Sequence, residues 1–246
     1  MSWVIDREKW LKWYNYIKKT LNLTFEQDQE ATNFLSELLK GKNILDFNDL
    51  LSRFSKFRKA AVIGAGPSLE KSSMMIKNLD EFTVVISSDG ATSFLIENDV
   101  TPHIVVTDLD GKVQDLVYAN KRGAVAVIHG HGDNIERLKS YVRFFSGEVI
   151  GSTQVEPRPF VYNFGGFTDG DRGVFLASHL NIKKILLIGM DFGDIVGKYS
   201  KPWLKGSQTA SKIKRKKLEI AKRLVDWIAK EKRLNIEYVK PRYRIP

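Results

Sequence analysis

The stretch that decides the fold is Ala60-Ala61-Val62-Ile63-Gly64-Ala65-Gly66-Pro67-Ser68-Leu69-Glu70. Four apolar residues in a row, stopped by glycine, read as a strand buried on both faces that ends in a tight turn. The glycines let the backbone approach a ligand, and a helix starting there offers free N–H groups to an anion. The turn is not a Walker loop, because the Gly-Lys-Ser/Thr ending is missing. It also lacks the third glycine of a dinucleotide fingerprint.

Downstream the same texture recurs at Thr83 to Ser87, His103 to Thr107, Ala124 to His129, Glu148 to Ile150 and Lys184 to Ile188. Short apolar strands alternating with helical stretches imply an α/β fold, a mostly parallel sheet flanked by helices. Ligands of such sheets sit outside the carboxyl ends of the strands, so those ends are where chemistry is expected. Upstream, residues 1–57 carry no strand-like run. Trp10, Trp13, Tyr14 and Ile17 fall at the spacing of one buried helix face. A second helix is expected after Thr24, with Gln27 completing a capping box, running towards Lys40 and stopping at Gly41. The organisation read from this is an N-terminal helical cap over 1–57 and an α/β domain over 58–246 that ends in a basic helix.

With 246 residues, 43% hydrophobic and 28% charged, the chain can bury a core without disulfides or a structural metal. It has no cysteine, which excludes disulfides, thiolate metal sites and cysteine nucleophiles and fits a reducing compartment. No run approaches the roughly 20 apolar residues of a membrane span. Met1 to Lys9 brings charges before any apolar core, unlike a signal peptide, so the expected location is cytoplasmic, with no membrane contact. The net charge of +10 favours anionic partners: nucleotides, phosphorylated substrates or nucleic acid. Much of the excess lies in Lys212 to Lys217, which reads either as a solvated helix face or as a contact for phosphates.

The strand ends carry the chemistry. The second closes with Ser88-Asp89-Gly90 and the third with Thr107-Asp108-Leu109-Asp110-Gly111. Aspartates at i and i+2 aim at one cation if the backbone there is extended. Hard oxygen ligands suit magnesium, making Asp89, Asp108 and Asp110 the candidate metal ligands. The fourth strand ends in His129-Gly130-His131-Gly132-Asp133-Asn134, where no third nitrogen or sulfur ligand accompanies the His-x-His, so substrate or phosphate contact is favoured over zinc. In Asn163-Phe164-Gly165-Gly166-Phe167-Thr168-Asp169-Gly170-Asp171-Arg172, Thr168 or Asp169 can cap a helix and Arg172 can pair with phosphate. The last strand leads to Gly189-Met190-Asp191-Phe192-Gly193-Asp194, more carboxylates at the same edge.

Taken in order, Gly-Ala-Gly-Pro-Ser-Leu, Ser-Asp-Gly-Ala, Thr-Asp-Leu-Asp-Gly, His-Gly-Asp-Asn, Phe-Thr-Asp-Gly-Asp-Arg and Gly-Met-Asp-Phe-Gly resemble the archaeal 6-hydroxymethyl-7,8-dihydropterin pyrophosphokinases over about residues 59 to 200. The chain is more distantly similar to thiamine pyrophosphokinase. It departs from that family's Gly-Asp-x-Asp-Ser motif at Thr107 to Gly111, and Gly166 stands where that family has an aspartate. The resemblance implies that ATP and the hydroxymethyl pterin give the pterin diphosphate and AMP, in pterin cofactor synthesis of the folate or methanopterin type. It implies that Asp108 and Asp110, with Asp89, hold magnesium against the ATP phosphates. His131 and Asp133 would orient the hydroxyl or take its proton, and Arg172 with Lys198 would carry phosphate charge. Gly64, Gly66, Pro67, Ser68, Gly90, Asn134, Thr168, Asp169 and Asp171 would contact ATP or substrate. The alternatives are thiamine as substrate, a sugar-transfer activity, or a non-catalytic nucleic-acid-binding module. The last leaves the strand-end aspartates unexplained, because they would repel phosphate without a cation. Oligomeric state, general base and the orientation of ATP stay open at this level.

Overall fold

The computed structural model describes residues 3–239. Three helices lead: α1 (Arg7–Leu21), α2 (Phe25–Leu39) and α3 (Phe47–Phe54). Then β1 (Lys59–Ile63), α4 (Ser73–Lys77), β2 (Thr83–Ser88), α5 (Asp89–Glu97), β3 (Ile104–Thr107), α6 (Val113–Lys121), β4 (Val125–His129), α7 (Ile135–Tyr141) and β5 (Val149–Ser152) alternate. After β6 (Val161–Tyr162) come α8 (Asp169–His179), β7 (Lys184–Ile188), the hairpin strands β8 (Ile195–Val196) and β9 (Gln208–Thr209), α9 (Lys212–Lys232) and β10 (Asn235–Val239). Eight strands form one sheet in the order β10-β7-β1-β2-β3-β4-β5-β6, and every pair in it is parallel. The α/β class read from the buried strand runs is therefore the observed one.

The two-residue period of the strands divides the core. Val62, Ile86, Val106 and Val127 face a cluster with α1, α3, α8 and α9. Ile63 and Val85 face α4 and α5, while Val105 and Ile128 face α2, α6 and α7. Helix α8 is buried from Gly170 to His179, leaving only its first residue, Asp169, partly open. On α1 the expected face is in place: Trp10, Tyr14 and Ile17 are buried and Trp13 is partly so. At the start of α2 the Thr24 hydroxyl donates to Gln27 Oε1 at 2.7 Å, so the expected capping box is replaced by a bond between the two side chains. Short strands β6, β8, β9 and β10 carry no long apolar run and were not anticipated. The edge strand β10 alternates half-buried and exposed residues, as an edge does. The terminal residues of the two expected segments, 1–2 and 240–246, lie outside the described residues.

Chain order reverses between β1 and its neighbours β2 and β7. In a parallel sheet that reversal splays the two following loops apart and opens a crevice at the carboxyl edge. No helix among the described residues is long and apolar enough to cross a membrane.

Candidate active site

The crevice runs across the carboxyl ends of β1, β2, β3, β4 and β7. Its floor is acidic. Asp89, Asp108 and Asp169 each offer an oxygen, and these atoms lie within 4.8 Å of one another. Asp89 follows β2 as the first residue of α5, Asp108 follows β3, and Asp169 opens α8. Asp89 Oδ2 accepts from the Thr107 hydroxyl, while its Oδ1 is buried without a partner. Burial, then the charge of Asp108, pushes the Asp89 carboxyl up to about 7. Burial, then Asp108 and Asp89, raises Asp169 well above the usual carboxylate range. Burial also pulls Asp108 upward, but the hydrogen bond and charge of His131, with Lys201, outweigh it and hold Asp108 well below that range. Three crowded carboxylates with one orphaned oxygen, all hard donors, fit a divalent cation of the magnesium type.

Two local devices shape this floor. A Cβ on Gly111 would stand 1.7 Å from Asp89 Oδ1, so only glycine lets the loop after β3 close on that carboxylate. Leu109 is left-handed at φ 64°, with its side chain in the core. The expected extended Asp-x-Asp is therefore absent. The turn sends Asp108 into the acidic group and Asp110 to an ion pair with Lys201. Asp169, read from sequence as a substrate contact, stands in the acidic group instead.

His131 Nε2 lies 3.2 Å from Asp108 Oδ2, and its Nδ1 accepts from Asp133 N–H at 3.4 Å. Asn134 is buried and pins this turn: Nδ2 donates to the carbonyls of His129 at 2.7 Å and Asp108 at 3.0 Å. Arg172 departs from its expected place. Fully buried, it donates to Gly165 O at 3.1 Å and meets His129 Nε2 at 3.1 Å, beneath the site rather than facing a ligand. Gly166, at φ 83°, passes so close that a Cβ would lie 2.5 Å from Arg172 Cα. Asp171 accepts from Phe167 N and Thr168 N, both at 2.7 Å, and so closes a capping box on Thr168 at the start of α8.

The crevice brings together Gly64, Gly66, Asp89, Gly90, Asp108, Asp110, His131, Asp133, Thr168 and Asp169. Pro67, Ser68, Asn134, Asp171, Arg172 and Lys198 are not on its wall. Ser68 N donates to Asp191 Oδ2 at 2.9 Å, and the Lys198 ammonium sits 5.0 Å from the Tyr199 ring centre. The facing cations are instead Lys201, Lys214 and Lys217. Two of these belong to the basic run at the start of α9, whose period turns Lys214 and Lys217 inward and leaves Lys212, Arg215 and Lys216 exposed. Sequence reasoning missed Asp28, Gln154 and Lys201, which lie outside the glycine-rich motifs.

Residues 32–197 match the family described as 6-hydroxymethylpterin diphosphokinase MptE-like. The chain belongs to this family. It is 44% identical over 234 residues to a protein of Methanothermobacter thermautotrophicus, covering 95% of this chain and 99% of the relative. A relative from Pyrococcus furiosus is 42% identical, covering 96% and 98%, and one from Methanocaldococcus jannaschii 38%, covering 96% and 100%. All three are named 6-hydroxymethyl-7,8-dihydropterin pyrophosphokinase. Among solved structures, the MAf glycosyltransferase of Magnetospirillum magneticum superposes with a TM-score of 0.50 at 16% identity, over 83% of this chain and 35% of that one. A thiamine pyrophosphokinase from Bacillus subtilis gives 0.40 at 14% identity, over 74% and 60%.

Proposed function

We propose that this member of the family transfers the terminal diphosphate of ATP to 6-hydroxymethyl-7,8-dihydropterin, giving the pterin diphosphate and AMP. The observation that carries this reading is near-full-length identity of 38–44% to three proteins bearing that name. The crevice supplies what such a transfer needs, which is positioning and charge neutralisation more than covalent chemistry.

The hydroxymethyl oxygen attacks the β-phosphorus, the bond between that phosphorus and the α–β bridging oxygen breaks, and its electron pair leaves on AMP. Asp89, Asp108 and Asp169 would hold a cation, magnesium by their all-oxygen donor set, which when bound offsets charge on the phosphate oxygens. Lys201, Lys214 and Lys217 face the diphosphate as it moves and stabilise the charge it carries. His131, bonded to Asp108, keeps that carboxylate ionised and aimed, and Asp133 on the same wall takes the hydroxyl proton. Arg172 acts from below, fixing the Gly165–Phe167 loop and lending positive charge to the acidic floor.

The test is to follow AMP and pterin diphosphate from ATP, magnesium and 6-hydroxymethyl-7,8-dihydropterin, with thiamine as the competing acceptor. Pterin-dependent AMP release is expected. AMP formed only with thiamine, or with neither acceptor, would overturn the reading.

A further inference from the structure

Gln154 stands two residues past β5, is 3% exposed, and yet lines the crevice. Its Nε2 donates to Asp28 Oδ2 at 2.7 Å. A carboxylate only accepts, so the donor side of the amide must face Asp28 and Oε1 must be the free end. Asp28 is locked in turn: Oδ1 accepts from Gly132 N at 2.9 Å and Oδ2 from the Tyr14 hydroxyl at 2.8 Å. The Gln154 carbonyl is tied as well, accepting from Trp10 Nε1 at 2.9 Å. Among the described residues Gln154 Oε1 has no hydrogen-bond partner. Oε1 is thus an acceptor oriented by its neighbours and open to the crevice, where a ligand's donor can take the place of water.

Its place in the sheet says which donor. β5 lies beside β4 and β4 beside β3, so the ends of β5 and β3 are two strand spacings apart, about 10 Å. That distance suits a bicyclic heteroaromatic ring with a one-carbon arm, lying across the end of β4. Asp108 and His131 stand at the far end of that line, and Phe167 and Leu23 line the crevice with apolar surface for a ring. The other side of the acidic floor is different in kind: Gly64, Gly66, Gly189 and Lys201 present backbone and charge, which suit phosphates.

Resting on the function proposed above, we infer that Gln154 Oε1 reads the amino-pyrimidinone edge of the pterin, accepting from the 2-amino group. The ring then lies along the α1–α2 corner with its hydroxymethyl at Asp108, and the nucleotide occupies the glycine-loop side. The N-terminal helices thereby set substrate choice, since Trp10, Tyr14 and Asp28 hold the reading amide.

The experiment compares 6-hydroxymethyl-7,8-dihydropterin with its 2-deamino analogue in the wild-type protein and in Gln154→Met. The wild type is expected to show a KM about tenfold higher for the analogue, and Gln154→Met to treat the two alike within about twofold, with the KM for ATP unchanged. The inference is overturned if the wild type treats both compounds alike, if Gln154→Met keeps the preference, or if its KM for ATP rises instead. The wild-type comparison needs no variant, so a misfolded Gln154→Met does not shelter the idea. Absence of AMP from the wild type would sink the functional reading by itself. Titration of the pterin's own fluorescence would then still decide on Gln154: weaker binding in the variant supports it, and equal or absent binding overturns it.

Discussion

The acidic wall of the crevice and the basic wall are built from opposite materials. Asp89, Asp108 and Asp169 are short side chains at the ends of buried elements, held by Thr107, His131 and the α8 turn. Lys201, Lys214 and Lys217 reach in on long stems from the β8–β9 hairpin and the first turns of α9. Both walls are electrostatically unfavourable alone. The acids crowd one another, and burial raises two of them. The lysines cluster at the positive end of the α9 dipole, where the first turn carries no acidic residue. Burial, then Lys217, lowers Lys214, and burial lowers Lys201. On the function proposed above, a cation would relieve one wall and a polyphosphate the other, so that each ligand would favour binding of its partner.

The sharpest way to break the comparison is at the rigid wall. Asp108→Asn removes the carboxylate that the site keeps ionised and should cut pterin-dependent AMP formation about a thousandfold while leaving the circular dichroism spectrum unchanged. A loss below about tenfold would mean that Asp108 is dispensable to the transfer.

On the flexible wall the effect should be graded. Lys214→Met is expected to lower kcat/KM for ATP about tenfold, because neighbouring lysines can take over part of its work. The sign of its pH dependence is distinctive. The folded-state pKa is depressed below the ordinary 10.5, so charge is lost early as pH rises and kcat/KM for ATP falls on the alkaline side. Stability of the ligand-free protein moves the other way there, since the unfolded chain binds the proton that the folded one has released. Lys214→Arg, always charged, should flatten that alkaline limb. An unchanged limb in Lys214→Arg would place the titration elsewhere.

The two walls were also unequally legible in the sequence. Strand ends announce themselves, because a short continuous apolar run stopped by Gly, Asp or His reads as a strand buried on both faces, and several such runs alternating with helices imply a parallel sheet. Asp89, Asp108 and His131 are read at strand ends in this way, whereas Asp169 is read as a helix cap or substrate contact. What the residue string hides is direction. Leu109 in the left-handed region decides that Asp110 leaves the acidic group, and nothing in Asp-Leu-Asp-Gly marks it. Arg172 looks like a phosphate ligand until packing draws it under Gly165. Lys214 and Lys217 sit in a run with five cations among six residues, and only the seating of α9 on α8 picks out the pair that turns inward. Gln154 carries no signal at all, since its role depends on Asp28, 126 positions earlier.

The finest test concerns the energetic side of the same contrast, in protein stripped of metal by a chelator. Asp89 Oδ1 is buried and unpaired, and its carboxyl is raised to about 7. A raised folded-state pKa means that Asp89 destabilises the fold progressively as pH climbs from about 4 through 7. In Asp89→Asn the amide oxygen can still accept from Thr107, while the charge is gone. The variant should melt about 2–4 °C above the metal-free wild type at pH 8, with a smaller gain at pH 5. Magnesium should raise the wild-type midpoint and leave the variant's nearly unmoved. A variant less stable than the wild type at pH 8 would show that Asp89 is compensated within the protein, and the cation would lose its claim to relieve the acidic wall.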